Sequence, residues 1–196
     1  MLLYKDIIKD DNPILRNKSK HISLPPDKSD IDTIKSLNEY LVNSYDDEMV
    51  QKYDLRPGIG LAAPQIGVLK NMFVLLLKDE NNNVFNLGVI NPKIISHSEE
   101  KTFLPEGEGC LSVDRTIEGF VHRYKRIKAK VHLYDFNTDI VKEETLKIEN
   151  FLAIVFQHEY DHLSGILFYD HIDKNNPYYI PDNSQPLKIA LENEEK

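Results

Sequence analysis

The chain has 196 residues, of which 41% are hydrophobic and 29% charged, with a net charge of −8. That length suits one domain with a sizeable core, taken here as residues 1–196 with a frayed tail from 183 onward. The acidic balance speaks against direct nucleic-acid specificity or an anionic membrane partner, and no apolar run reaches the ~20 residues of a membrane span.

Residues 1–26 read as an irregular arm. Lys5, Asp6, Lys9, Asp10 and Asp11 leave no room in it for a secretory apolar segment, so a cytoplasmic location is expected. A helix is predicted over 30–45 from the spacing of Ile31, Ile34, Leu37, Leu41 and Tyr45, opened by a capping box between Ser29 and Asp32. Residues 54–67 carry Pro57, Gly58, Gly60, Pro64 and Gly67 and read as a loop. Strands follow at 72–77, 84–87, 89–98 (interrupted by Pro92), 102–105, 120–124, 126–134 and 140–148. Turns are expected at Asn81-Asn82-Asn83 and at 135–139. A second helix covers 150–164, with Gly165 as its stop. Pro177, Pro181 and Pro186 exclude a long helix beyond it, and 187–196 read as a short helix or loose end. Strands segregated from helices give an α+β fold, with antiparallel sheets packed around the second helix.

That second helix carries the strongest chemical signal, Gln157-His158-Glu159-Tyr160-Asp161-His162-Leu163-Ser164-Gly165. His158 and His162, four residues apart, project from one helix face at the spacing that chelates a metal ion. Glu159 is placed to reach water bound there, as in His-Glu-x-x-His hydrolases. A catalytic ion usually takes a third protein ligand and keeps one open position. Downstream, the metzincin protease pattern requires His at a position held by Phe168, which cannot ligate, although Asp170, Asp173 and Asp182 also follow. Upstream, Glu108-Gly109-Cys110-Leu111-Ser112 offers the only cysteine of the chain, a soft donor that completes a Cys-His-His set. With a single Cys there is no internal disulfide.

A third segment is Gly58-Ile59-Gly60-Leu61-Ala62-Ala63-Pro64-Gln65. Its glycines mimic a dinucleotide fingerprint. However, no apolar strand precedes Gly58, and Pro64 stands where a helix should open.

These three segments, in this order, resemble peptide deformylase over at least residues 1–173. The stretch 39–55, residues 113–123 and Phe168-Tyr169-Asp170-His171-Ile172-Asp173 resemble its type II branch. The resemblance implies a hydrolase that removes formate from N-formyl-methionine on newly made polypeptides. It implies Cys110, His158 and His162 as metal ligands, Glu159 as proton carrier, and Gln65 with the Leu111 N–H as donors to the oxyanion. Gly60 would lie beside the substrate backbone. Ile154 and Val155, four and three residues before His158, would wall the methionine pocket. One divalent ion is implied, iron(II) as the natural choice, with zinc, nickel or cobalt as alternatives. Glu108 is expected to support the ligand loop. Gln157 and Asp161 are read as partners of the ligands or as helix-surface residues, and Arg115 as a substrate contact or a partner of nearby carboxylates. Where Asn150 and Leu152 open the helix, relatives often carry Pro and Gly. The other main branch has a longer C-terminal helix implicated in ribosome docking, so a transient ribosome contact would be made differently here. A monomer is the default. A His-Glu-x-x-His peptidase and a non-catalytic, ribosome-associated metal binder are the competing functions.

Overall fold

The computed structural model describes residues 1–79 and 83–188. The arm holds two short 3₁₀ turns, Tyr4–Asp6 and Pro13–Arg16. Helix α1, Lys28–Asn43, begins two residues before the predicted start. Its capping box is Asp27 with Asp30, the Asp30 N–H donating to the Asp27 carboxylate at 2.9 Å, and not Ser29 with Asp32. Either pair satisfies the same three-residue spacing. Burial of Asp30 against Lys70 selects the earlier one. A separate helix α2, Asp47–Tyr53, follows, capped by Asp46. It departs from the single helix expected over 30–45, and its three apolar residues, Met49, Val50 and Tyr53, are only partly buried against the core.

Strands β1 (Gly60–Ala62), β2 (Met72–Lys78), β3 (Val84–His97), β6 (Arg126–Tyr134) and β7 (Val141–Glu149) form one antiparallel sheet in the order β1-β2-β3-β6-β7. Strand β1 falls inside the segment expected to be a loop. The two strands predicted over 84–98 are one. Pro92 marks a register shift in β3 instead of a break, with Asn91 in a left-handed conformation (φ 49°) and its amide bonded both ways to the Ile22 backbone. The tip of the β2–β3 turn predicted at Asn81-Asn82-Asn83 lies outside the described residues. At its base, the Asn83 N–H donates to the Asp79 carboxylate.

A smaller sheet joins β4 (Lys101–Phe103), β5 (Arg123–Tyr124) and β8 (Ser184–Pro186) in the order β5-β4-β8. Its β4–β8 pair is parallel, which departs from the all-antiparallel expectation. Residues 184–187 are accordingly held in place, with the Leu187 N–H donating to the Phe103 carbonyl at 2.8 Å. The frayed tail predicted from 183 is corrected to that extent. Residues 189–196 lie outside the described residues.

Strand β2 is buried on both faces, and its alternation divides the core. Met72 and Val74 face α1, packing with Ile34, Leu37, Tyr40 and Leu41. Phe73 and Leu75 face helix α3, Asn150–His162, packing with Leu152, Val155 and Phe156. Phe73 and Phe156 meet edge to face at 5.1 Å. Because α3 is wrapped by both sheets, it is buried nearly all round, apolar over Phe151–Phe156 and polar from Gln157 onward. Asn150 opens it at φ 56°, a left-handed conformation that Asn tolerates and where Gly is ordinary. No helix among the described residues is long and apolar enough to cross a membrane.

Candidate metal centre and active-site cavity

Burial of α3 brings its polar residues into the interior, where each needs a partner. His158, Glu159 and His162 are all buried there. Their chemistry is completed by the loop after β4, which lays Cys110 across the helix face. Cys110 Sγ is 3.4 Å from His162 Nε2. Donor atoms of Cys110, His158 and His162 all lie within 4.8 Å of one another. Two ligands at ordinary zinc–sulfur and zinc–nitrogen distances on a tetrahedron would stand ~3.6 Å apart, so the donor set fits one divalent ion.

The loop is fixed by buried charges. His158 Nδ1–H donates to Glu108 Oε2 at 2.8 Å, which leaves Nε2 to face the cluster. Arg123, on β5, grips both Glu108 oxygens at 2.6 and 2.9 Å and reaches Asp161 at 2.7 Å. Burial alone would raise the Glu108 carboxyl, but the Arg123 charge and the bond from His158 pull it down to about 2. Burial likewise opposes ionisation of Cys110. The adjacent His162 and His158 outweigh it and hold the thiol well below its ordinary value, the thiolate state a metal ligand needs. Glu159 goes the other way: burial raises it to about 7, near the working pH of a general base. Its Oε2 is buried without a hydrogen-bond partner.

A cavity of about 280 Å³ opens onto this cluster. Gly60, Gln65, Cys110, Leu111, Ile154, Val155, His158 and Glu159 all line it, and His162 lies behind. Gln65 is held at both ends. Its Oε1 accepts from the Ala62 N–H at 2.8 Å, and its Nε2 donates to Ser112 Oγ at 3.1 Å, 3.5 Å from Cys110 Sγ. The Leu111 N–H meets no acceptor among the described residues. Gly60 lacks a side chain for a reason beyond clearance for a substrate: a Cβ there would lie 2.4 Å from Glu159 Oε1. Gly60→Ala is therefore expected to displace the carboxylate, lowering kcat and destabilising the fold by ~1–3 kcal/mol. Paired rate and urea-unfolding measurements would check both effects.

Against this geometry the sequence comparisons are specific. The polypeptide deformylase family matches residues 4–178. The chain belongs to that family. Peptide deformylase 2 of Bacillus cereus is 51% identical over 189 residues, covering 96% of this chain and all of the relative. Its Bacillus anthracis namesake is 50% identical over the same length. The crystal structure of peptide deformylase from Thermotoga maritima superposes with a TM-score of 0.63 at 33% identity, covering 88% of this chain and 99% of that one. The chain is thus a deformylase, a hydrolase that removes the N-formyl group from newly made polypeptides. The family is metal-dependent, and the Cys110, His158 and His162 cluster is where this deformylase can hold an ion.

Other residues singled out in the sequence are placed away from the cavity. Arg115 pairs with Asp10 at 2.7 Å on the surface. The Gln157 amide binds the Tyr124 backbone of β5 and the Ala153 carbonyl. Asp161 is held by Arg123 and His171. Phe168, at the position where a metzincin needs its third histidine, stacks on the His158 ring. Ile59, Leu104 and Phe151 also line the cavity and were missed. Phe151 was within reach of sequence reasoning, because it sits seven residues before His158, two turns up the same face. Arg123 carried no such signal, since its contacts come from the β5 pairing.

Proposed function

We propose that this deformylase acts on N-formyl-methionyl ends through a one-metal site, with Cys110, His158 and His162 as ligands and Glu159 as the proton carrier. When bound, a divalent ion supplies Lewis acidity, bringing water ionisation toward neutral pH and polarising the formyl group. Glu159 accepts the proton of the attacking water and delivers it to the departing amine nitrogen, so that the products are formate and a free amino terminus. As the formyl carbon becomes tetrahedral, its oxygen gains charge, and Gln65 Nε2 and the Leu111 N–H donate to it. The methionine side chain occupies the apolar wall formed by Ile154 and Val155, joined by Ile59 and Phe151. Gly60 runs beside the substrate backbone.

The observation that carries this reading is one cavity combining a sulfur–nitrogen–nitrogen donor set, a buried carboxylate raised to about 7 and an oriented amide donor. A metallopeptidase reading is disfavoured because Phe168 is not a ligand and Cys110 supplies the third donor. A mere metal binder would have no use for a Glu159 that lines the cavity while one of its carboxylate oxygens lies buried without a partner. Iron(II) is the ion proposed in the cell, with zinc, nickel or cobalt as substitutes. The chain works as a cytoplasmic monomer of one catalytic domain that meets the nascent chain, in transient contact with the ribosome. Elemental analysis of protein purified without oxygen tests the ion: iron near one per chain is expected, and zinc alone with full activity would overturn that assignment.

A further inference from the structure

The N-terminal arm does more than cover the core. Three of its groups reach the two segments that carry the proposed oxyanion donors. The Ile8 N–H donates to the Gln65 carbonyl at 2.8 Å, and the Asp10 N–H donates to the Ser112 carbonyl at 2.9 Å. Residues two apart on an extended chain present their N–H groups on the same side, so one edge of the arm spans both segments. Between them, Lys9 Nζ donates to the Leu111 carbonyl at 3.1 Å.

That carbonyl belongs to the peptide joining Leu111 to Ser112. The N–H of the same peptide, on Ser112, points at Cys110 Sγ at 3.4 Å. One peptide group therefore lies between the Lys9 ammonium and the ligand sulfur. A cation on its carbonyl polarises its N–H toward the thiolate, and the two bonds strengthen each other. They also fix the rotation of this peptide, and through it the direction of the preceding one, whose N–H is that of Leu111. Lys9 itself is held by Asp114 at 3.0 Å and stands 3.6 Å from the centre of the Tyr4 ring. Tyr4 and Lys9 meet at the same carboxylate, because the Tyr4 hydroxyl also bonds Asp114. Burial of Ile7 and Leu15 anchors the arm on either side.

We propose that Lys9 is a positioning residue for deformylation: acting through the Leu111–Ser112 peptide, it aims the Leu111 N–H into the cavity while the adjoining arm backbone holds Gln65 in register. This rests on the reading of Gln65 and Leu111 as oxyanion donors, and the experiment separates the two. Lys9→Met keeps the aliphatic stem and removes the ammonium. It should lower kcat about tenfold, less than the ~100-fold for loss of a direct donor. KM should stay within about twofold, with metal content and melting temperature unchanged, and Lys9→Arg should restore most of the rate. In nitrogen-15 spectra the Leu111 and Ser112 amide resonances should move in Lys9→Met and return in Lys9→Arg. Gln65→Ala, run beside them, reports on the underlying reading. If Gln65→Ala lowers kcat but Lys9→Met leaves both rate and resonances unchanged, the positioning role is overturned. A fall in kcat matched by lost metal or a lower melting temperature also overturns it, as a purely structural contribution. If Gln65→Ala leaves kcat unchanged, the oxyanion reading fails, whatever Lys9 does.

Discussion

Glu159→Gln should cut turnover by about two to four orders of magnitude and at the same time stabilise the metal-free protein. The two effects have one cause. Glu159 is buried beside Gly60, and burial raises its carboxyl from 4.5 to about 7. The amide keeps the shape and the Gly60 contact, but cannot accept a proton from water, so kcat should fall by roughly 10²–10⁴. On the stability side, a folded carboxyl raised above its unfolded value favours the native state while both are protonated. The native state loses that advantage as pH climbs through the window from 4.5 to about 7. Above pH 7 the buried charge costs about 3 kcal/mol, and Gln removes that cost. In chelator-treated protein, urea unfolding at pH 8 should place Glu159→Gln above wild type, and at pH 4.5 the two should coincide. Equal stability at both pH values would mean that burial does not perturb Glu159. Retained turnover would remove it from the mechanism.

Arg123→Met should be the most destabilising single change near the site, although Arg123 does not line the cavity. Its guanidinium is buried and neutralises Glu108, whose side chain is buried as well, and the half-buried Asp161. Removing one member of such a network leaves uncompensated charge, at a cost of roughly 3–5 kcal/mol. The acid limb gives a second readout. Glu108 is depressed in the folded state to about 2, so its stabilisation is present above pH 4.5 and is lost as pH falls from 4.5 through about 2. Without Arg123 the largest source of that depression is gone, and acid unfolding should begin at a higher pH than in wild type. Adding Glu108→Gln to Arg123→Met should recover part of the loss, since one of the orphaned charges disappears. A shift below about 1 kcal/mol in denaturant would contradict the network as described.

Much of the site was legible because its chemistry follows local spacing. His158, Glu159 and His162 share one helix, and i−3 and i−4 periodicity placed Ile154 and Val155 on the cavity wall. The pairing of Cys110 with that helix is a long-range contact, suggested in sequence by the inability of Phe168 to ligate, and the structure sets Sγ 3.4 Å from His162 Nε2. Strands with alternating or continuous apolar runs, such as β2 and β6, were bounded within about one residue. What escaped depends on tertiary pairing. Strand β1 is three residues of a glycine-rich stretch made extended by β2, and β8 lies among prolines and is defined by its parallel partner β4. Arg123 and Lys9 look like ordinary surface cations in sequence. One becomes buried by charge partners 15 and 38 residues away, the other engages a carbonyl 102 residues away. Gly60 was singled out, but its contact with Glu159 needs the packing of β1 on α3 to be seen.

The measurement that bears most directly on the metal-dependent deformylase site is formate release from a formyl-Met-Ala-type peptide by protein purified without oxygen, with Cys110→Ala assayed in parallel. Wild type should release one formate per free amino terminus formed, leaving the peptide bonds intact, and Cys110→Ala should release none above background. Formate release that survives loss of Cys110, or no release with iron, nickel, cobalt or zinc loaded, would contradict it.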